Sequence, residues 1–410
     1  MMMKLSEARV GLLYPWEGLP SMDRGSARRV SPLISLLGRE CKSVEVLSPG
    51  GTAPRVEGNV TFRYHRPSRV EKMLIRGGFW LFDGITYHLW KKSDPARERR
   101  QWWHYLKARL TPSLKDEIRK ISERNDVLLV EYPFWIPLLS SIPDIKPVIL
   151  TFHDILSESV TQPWLKGKVV GEELAACRSS SSIVCCNDSD AAFLNARGFS
   201  PKVVPHGITI PKGGKCAPAT PEGKLYETIE ERRRAGAMIC FFVGSSHQPN
   251  LEALDTISLM ARELQGDPRF LFVSAGSCCA PSLPSQNEVH LGGVTEATLD
   301  WLYSCSDIIL APLKRGTGAS LKTIEALARK KVLLTTTVGA RGYPLVSGRD
   351  ALIIDSPKDY TRALLHLADQ PEERARLSAG GWEFAKQYDS EHVYKGYLPI
   401  LSQLIASKRP

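Results

Sequence analysis

Short, nearly continuous apolar runs recur along the chain, separated by amphipathic stretches. The first set is RVGLLY (9–14), VEVL (44–47), VLLV (127–130), VILTF (148–152) and SIVCC (182–186). The second is MICFFVG (238–244), FLFVSAG (270–276), VHLGG (289–293), DIILAP (307–312), VLLTT (332–336) and ALIID (351–355). Half-exposed strands alternate apolar and polar positions. Continuous aliphatic and β-branched runs fit strands covered on both faces. Helical patterns lie between them at 26–39, 188–196, 249–264, 296–304 and 318–330. This alternation predicts α/β architecture with parallel sheets.

The two sets are separated by residues 209–236, rich in Pro, Gly and charge, which read as a linker or interdomain surface. At 410 residues the chain is expected to form two Rossmann-like domains, 1–208 and 209–385. Residues 386–410 follow, with a helix over about 389–407 expected to pack back on the N-terminal domain. Hydrophobic residues at 43% and charged residues at 24% exclude a disordered or fibrous chain. No run approaches the roughly 18 apolar residues of a membrane span. The start, MMMKLSEARVGLLYP, has no signal-peptide core. The nine cysteines form no C-x-x-C pair, so a zinc site has no support. Reduced cysteines in a cytoplasmic protein are the expectation.

Charge sharpens the picture. Residues 66–120 hold 14 Lys and Arg against 6 Asp and Glu, a net of +8 out of +10 for the chain. The same stretch holds Trp80, Trp90, Trp102 and Trp103. Lys91, Lys92, Arg97, Arg99 and Arg100, with Trp102 and Trp103, would suit an anionic bilayer surface. The competing reading is a solvated helical excursion whose tryptophans enter the core.

The densest chemistry lies at 307–342. A strand, DIILAP, runs into LKRGTGAS and then into the helix LKTIEALARK. Gly316 and Gly318 permit a tight turn with exposed N–H groups, and Thr317 or Ser320 can cap the helix. A helix N-terminus after such a loop binds phosphate through its free N–H groups and its dipole. Lys314, Arg315 and Lys322 add positive charge. Glu325, three residues beyond Lys322, lies on the same helix face. Its carboxylate could accept two hydroxyl groups of a ribose. VGSSHQPN (243–250) is a second loop at a strand's carboxyl end, where ligands of open α/β sheets bind. Gly244 follows the strand there, Pro249 opens a helix, and His247 reads as a loop or capping histidine.

Taken together, FVGSSHQPN, HLGGV, APLKRGTGASLKTIEALA and TTTVGARG resemble, in order and spacing, the donor-binding domain of GT-B glycosyltransferases. The resemblance is greatest to the retaining group known as family four, or group 1. LPSMDRGSARRV, TFHD, IVCCNDSDAAFL and VVPHGI match its N-terminal half more loosely. The resemblance implies two Rossmann-like domains with a cleft between them, and a sugar moved from a UDP- or GDP-linked donor. Residues 316–320 and Lys322 would hold the donor diphosphate and Glu325 the ribose. Gly293 and Val294 would face the base. Gly244, Ser245 and His247 would meet the donor, and Gly25 would approach its phosphates. His153, beside donor sugar and acceptor, and Asp154 would be catalytic.

Two departures stand out. Members often carry a glutamate eight positions before the ribose-binding one, and here that position is Thr317. Many also carry Arg and Lys where this chain has Ser245, Ser246, His247 and Gln248. The diphosphate's positive charge must then come from Lys314, Arg315 or Lys322. No Asp-x-Asp motif of the kind that holds a divalent ion is read, so no metal or cofactor is expected. The acceptor would be a saccharide, glycolipid or small molecule, as in polysaccharide assembly. The protein is expected to be cytoplasmic, either free or peripheral at the inner membrane face. A nucleotide-sugar epimerase of the same fold is the alternative. A nucleic-acid-binding protein is a second one, but it would leave the loop at 314–322 unexplained, so no nucleic acid is expected.

Overall fold

The apolar runs form the strands of two sheets. The computed structural model describes residues 4–20, 25–51, 53–89, 95–210 and 221–407, and the side chains within them except those of 25, 26, 82–89 and 95–101. The first sheet holds β1 (Arg9–Leu13), β2 (Ser43–Pro49), β3 (Arg55–Glu57), β4 (Val60–His65), β5 (Val127–Glu131), β6 (Val148–Phe152), β7 (Ser182–Cys185) and β8 (Lys202–Val203). Their order is β3-β4-β2-β1-β5-β6-β7-β8. Only the β3–β4 hairpin is antiparallel. The second sheet holds β9 (Met238–Val243), β10 (Phe270–Ala275), β11 (Ser282–Ser285), β12 (Glu288–His290), β13 (Ile308–Ala311), β14 (Val332–Thr335) and β15 (Leu352–Ile353). Its order is β11-β12-β10-β9-β13-β14-β15, antiparallel only at β11–β12.

Each sheet is doubly wound. In the first the chain builds outward from β1 and returns to lay β5 on its other side; in the second β9 and β13 play those parts. The carboxyl ends of β1/β5 and of β9/β13 are therefore the topological switch points. Both faces of the second sheet are apolar. Phe241, Leu271, Ile309 and Leu333 fill one, and Cys240, Phe242, Phe272, Leu310 and Leu334 fill the other. That two-sided burial explains why its strands read as unbroken runs.

The chain divides into two compact units, Met1–Pro205 with Glu391–Pro410, and His206–Ser390. Tyr397 and Leu401 are buried in the first unit's core, and the Tyr397 hydroxyl meets Thr151 Oγ1 at 3.1 Å.

Several expectations change. The stretch read as a linker carries a helix, Lys224–Arg234, with Ile229 buried in the second core. Within it Glu230 pairs with Arg233 and Arg234, while Arg232 donates to Pro268 O and Phe270 O, both at 3.2 Å. The helix expected over 318–330 is only Leu321–Ala328, because Gly318 sits at φ 68°, outside the helical region. The closing helix is three pieces, Ser390–Val393, a 3₁₀ turn Tyr394–Gly396, and Tyr397–Ala406. Pro399 falls in the first turn of the last piece, the position that proline's missing N–H allows. The short edge strands β3, β8 and β11 have little apolar content and left no signal.

The basic insert is helical: α2 (Arg69–Leu89), α3 (Pro95–Arg109) and α4 (Pro112–Arg124), following α1 (Gly25–Glu40). Buried Glu71 staples α2 to α4. It accepts from Ser68 N at 2.7 Å and from Ser113 N and Oγ, both at 2.8 Å. Burial alone would raise this carboxyl, but bonds from Ser113 and Ser68 outweigh it and hold it at about 2. Trp103 is buried, and Trp102 packs on the core with its ring 6.0 Å from Trp164. These two tryptophans, expected at a bilayer, face inward because α3 packs on the helix Pro163–Arg178. Trp90, Lys91 and Lys92, and the side chains of Arg97, Arg99 and Arg100, lie outside the described residues.

Candidate functional site

In the second unit, three strand ends are tied together by backbone. Gly244 N–H donates to Ala275 O at 3.0 Å, and Gly276 N–H donates to Gly292 O at 2.6 Å. Gly276 has φ 99°, and a Cβ there would lie 2.1 Å from Gly244 O. Only glycine lets these loops close so tightly. Beyond Gly244, Ser245 and His247 are exposed, and His247 is the N-cap residue of the helix Gln248–Glu263 without a side-chain capping bond.

The loop after β13 is the second wall. Gly318 turns the chain into the helix Leu321–Ala328, whose N-cap Ser320 makes no side-chain capping bond. Thr317 is half-buried. The capping role expected of Ser320 is unused, so its side chain does not occupy the N–H groups of the first turn. The loop is pinned from behind. Arg341 Nη1 donates to Gly316 O at 2.6 Å, Thr336 Oγ1 to Leu313 O at 2.6 Å, and Thr323 Oγ1 to Gly339 O at 2.6 Å.

The three expected cations differ. Lys322 donates to Asn250 Oδ1 at 2.7 Å and stands 4.5 Å from the Phe242 ring centre. Burial lowers its ammonium to about 8. Lys314 is exposed. Arg315 is engaged by Glu252, with Nε 3.0 Å from Oε2 and a second bond from Nη2 to Oε1. Its charge is already matched, and Glu252 is held low chiefly by that bond. Lys322 is therefore the cation built into the wall, and Asn250, which holds it, was not foreseen.

Glu325 is buried, and its Oε2 accepts from the Tyr303 hydroxyl at 3.2 Å. Tyr303 in turn lies under the Arg329 guanidinium at 4.5 Å and edge-on to Phe241. In sequence Tyr303 was one more apolar position of its helix. Gly293 is exposed with open space where a Cβ would be. Val294 leans on the core, and Thr295 caps the next helix through Thr298 N at 3.2 Å.

In the first unit, Gly25 opens α1. His153 follows β6 and is 3% exposed, with Nε2 2.6 Å from Glu131 Oε2. Glu131 is the last residue of β5, one strand away, and its Oε1 has no partner. The Cys186 sulfur lies 4.0 Å from His153 Nδ1, and burial pushes that thiol up. The Tyr132 ring covers His153 at 4.3 Å, from a backbone strained to φ 69°. Asp154 is half-buried. The chain does contain one Asp-x-Asp spacing, Asp188 and Asp190. There Asp190 is buried and held by Asn187, which caps the helix Asp188–Asn195.

Comparison with known proteins agrees with this geometry. Residues 237–370 match the family described as Glycosyl transferases group 1. An uncharacterized glycosyltransferase of Methanocaldococcus jannaschii is 26% identical over 106 residues, 25% of this chain and 30% of that protein. The match thus spans about a third of that relative's length. Among solved structures, sucrose-phosphate synthase from Thermosynechococcus elongatus superposes with TM-score 0.71 at 12% identity, covering 98% of this chain and all of the other. The E. coli trehalose-6-phosphate structure bound with UDP-2-fluoro glucose gives 0.67 at 15%, covering 97% and 99%. An Anabaena protein, HepE, in complex with UDP gives 0.62 at 13%, covering 96% and 100%. At these identities the structures speak for the fold alone. Residues 237–370 are thus similar to the group 1 glycosyl transferases, a family of transferases, and the chain as a whole carries the GT-B fold.

Proposed function

We propose that the protein moves a sugar from a UDP- or GDP-linked donor to an acceptor hydroxyl, with retention and without a divalent ion. The observation that carries this reading is Lys322, held by Asn250 at the uncapped start of the helix Leu321–Ala328. A leaving diphosphate gains negative charge as the glycosidic bond breaks. An open helix N-terminus and a fixed ammonium meet that charge without reorganising. The two UDP-bearing structures of like fold support a uridine donor. Retention rests on the likeness to group 1. Incubation with a panel of UDP- and GDP-sugars, with and without EDTA, tests the reading. Release of UDP or GDP, undiminished by EDTA, with the donor's anomeric configuration kept in the product is expected. No turnover of any donor, or an epimerised nucleotide sugar as product, overturns it.

An anionic membrane surface is the proposed second partner. Val70, Met73, Leu74 and Leu81 lie along one stripe of α2, with Trp80 beside it, and all five are exposed, Trp80 at 82%. Arg69 and Arg76 flank them, which suits a helix lying in an acidic interface. Among the described residues no helix is long and apolar enough to cross a membrane. Sedimentation with vesicles should show preference for phosphatidylglycerol over phosphatidylcholine. W80S with L81S should weaken binding roughly tenfold, the loss of about 1–2 kcal/mol of partial apolar burial. Equal sedimentation with both lipids removes this partner.

A further inference from the structure

A cavity of about 590 Å³ opens in the first unit, outside the carboxyl ends of β1, β2, β4 and β5. It therefore lies at this sheet's own switch point. Trp16, after β1, and Phe134, after β5, form an aromatic wall with ring centres 5.4 Å apart. His104 of α3 packs edge-on to Trp16 at 4.7 Å. Facing them are Arg66, Lys72 and Lys107, all exposed and, among the described residues, none in an ion pair. Glu17 is the one carboxylate of the lining. His65 also lines it, but burial lowers its pKa, so it adds no charge at neutral pH.

We infer that this cavity binds the acceptor, and that the acceptor is an anionic saccharide carrying a phosphate or a carboxylate. This rests on the glycosyl-transfer reading above. The volume suits one or two sugar rings, which seldom need more than a few hundred cubic ångströms. A pyranose ring presents a C–H face that can pack on Trp16, the partly exposed ring of the wall, which buried Phe134 backs. Three cations against the single carboxylate Glu17 give the lining a positive balance, a poor fit for a neutral sugar. A bound anion balances that charge, and arginine grips phosphate and carboxylate alike in two-point fashion. The insert 66–120 thereby acquires a local task, since it supplies all three cations. Behind the wall, buried Tyr132 connects it to His153, with ring centres 5.7 Å from Trp16 and 4.3 Å from His153.

The test is calorimetric titration of the full chain, in saturating UDP, with glucose 6-phosphate, glucuronate and glucose. At least one anionic sugar should bind tenfold or more tighter than glucose, with affinity falling as salt rises. Glucose 6-phosphate ahead of glucuronate identifies a phosphorylated acceptor, and the reverse order a uronic acid. R66E with K107E should cost that sugar at least tenfold, while UDP affinity stays within twofold. Both positions are exposed, so the pair should fold normally. Equal binding of glucose and the anions, binding by none of the three, or no effect of the charge reversal overturns the inference. Failure of UDP itself to bind, with the anionic preference intact, sinks the donor reading and leaves this site standing.

Discussion

Lys322→Ala is expected to weaken UDP or GDP binding roughly 10–150-fold, the value of about 1.5–3 kcal/mol for a charge-assisted hydrogen bond. Three features raise the lysine above an ordinary surface cation. Asn250 fixes its position at 2.7 Å, Phe242 supports it from below, and it sits at the open start of the helix Leu321–Ala328. The diphosphate therefore finds the charge already placed and pays little side-chain entropy. The pH dependence has a definite sign. Burial brings the free ammonium to about 8, and a bound diphosphate favours the protonated form. Affinity should be flat below about pH 8 and fall as pH rises above it. In Lys322→Ala this decline should vanish. Glu325→Ala should weaken nucleotide binding too, through lost ribose contact, and should move the decline to lower pH, because the Glu325 charge helps keep Lys322 protonated. Calorimetric titration at pH 7 and pH 9.5 measures all of this. Unchanged affinity in both variants, with wild type binding, refutes the assignment of the donor site.

Much of this site was legible along the chain because its parts are local. The strand-loop-helix at 307–330 puts glycines, lysine and glutamate within one turn of each other, and sequence spacing alone conveys that. The partners were not legible, since they come from elsewhere. Asn250 reaches Lys322 from 72 residues away, Glu252 takes Arg315 from 63, and Tyr303 meets Glu325 from 22. None of the three has a distinctive local pattern. An asparagine after a proline, a glutamate on a helix and a tyrosine in an apolar stripe are all unremarkable alone. The same holds for the fold. Continuous apolar runs revealed the strands covered on both faces. The edge strands β3, β8 and β11 owe their existence to a neighbour's hydrogen bonds, which no run of side chains records. The basic insert was legible as charge. Its division into an inward tryptophan pair, an outward apolar stripe and a cation-lined cavity depends on three helices folding together.

The pair His153 and Glu131 should separate turnover from donor binding. His153→Ala is expected to lower kcat about 100-fold and to raise the acceptor KM, while the Kd for UDP stays within threefold. Buried Nε2 is committed to Glu131 at 2.6 Å, and Tyr132 stacks above the imidazole. The histidine thus holds the end of β6 to the end of β5 and supports a strained tyrosine that packs behind the cavity wall, against Trp16. On this geometry it is a positioning residue. Its loss also has a stability cost, because Glu131 Oε1 already lacks a partner and Oε2 would lose its own. Stranding that buried carboxylate costs about 3–5 kcal/mol. A second variant keeps the two effects apart. Glu131→Leu with His153→Phe replaces the polar pair by packed apolar groups, an exchange that is often neutral for stability. The double variant should recover most of the urea midpoint lost in His153→Ala, yet its kcat should stay low. If kcat recovers together with stability, the pair serves only to hold the strands. If UDP affinity collapses with kcat in His153→Ala, the residue belongs to the donor side, and the division of labour argued for the two units fails.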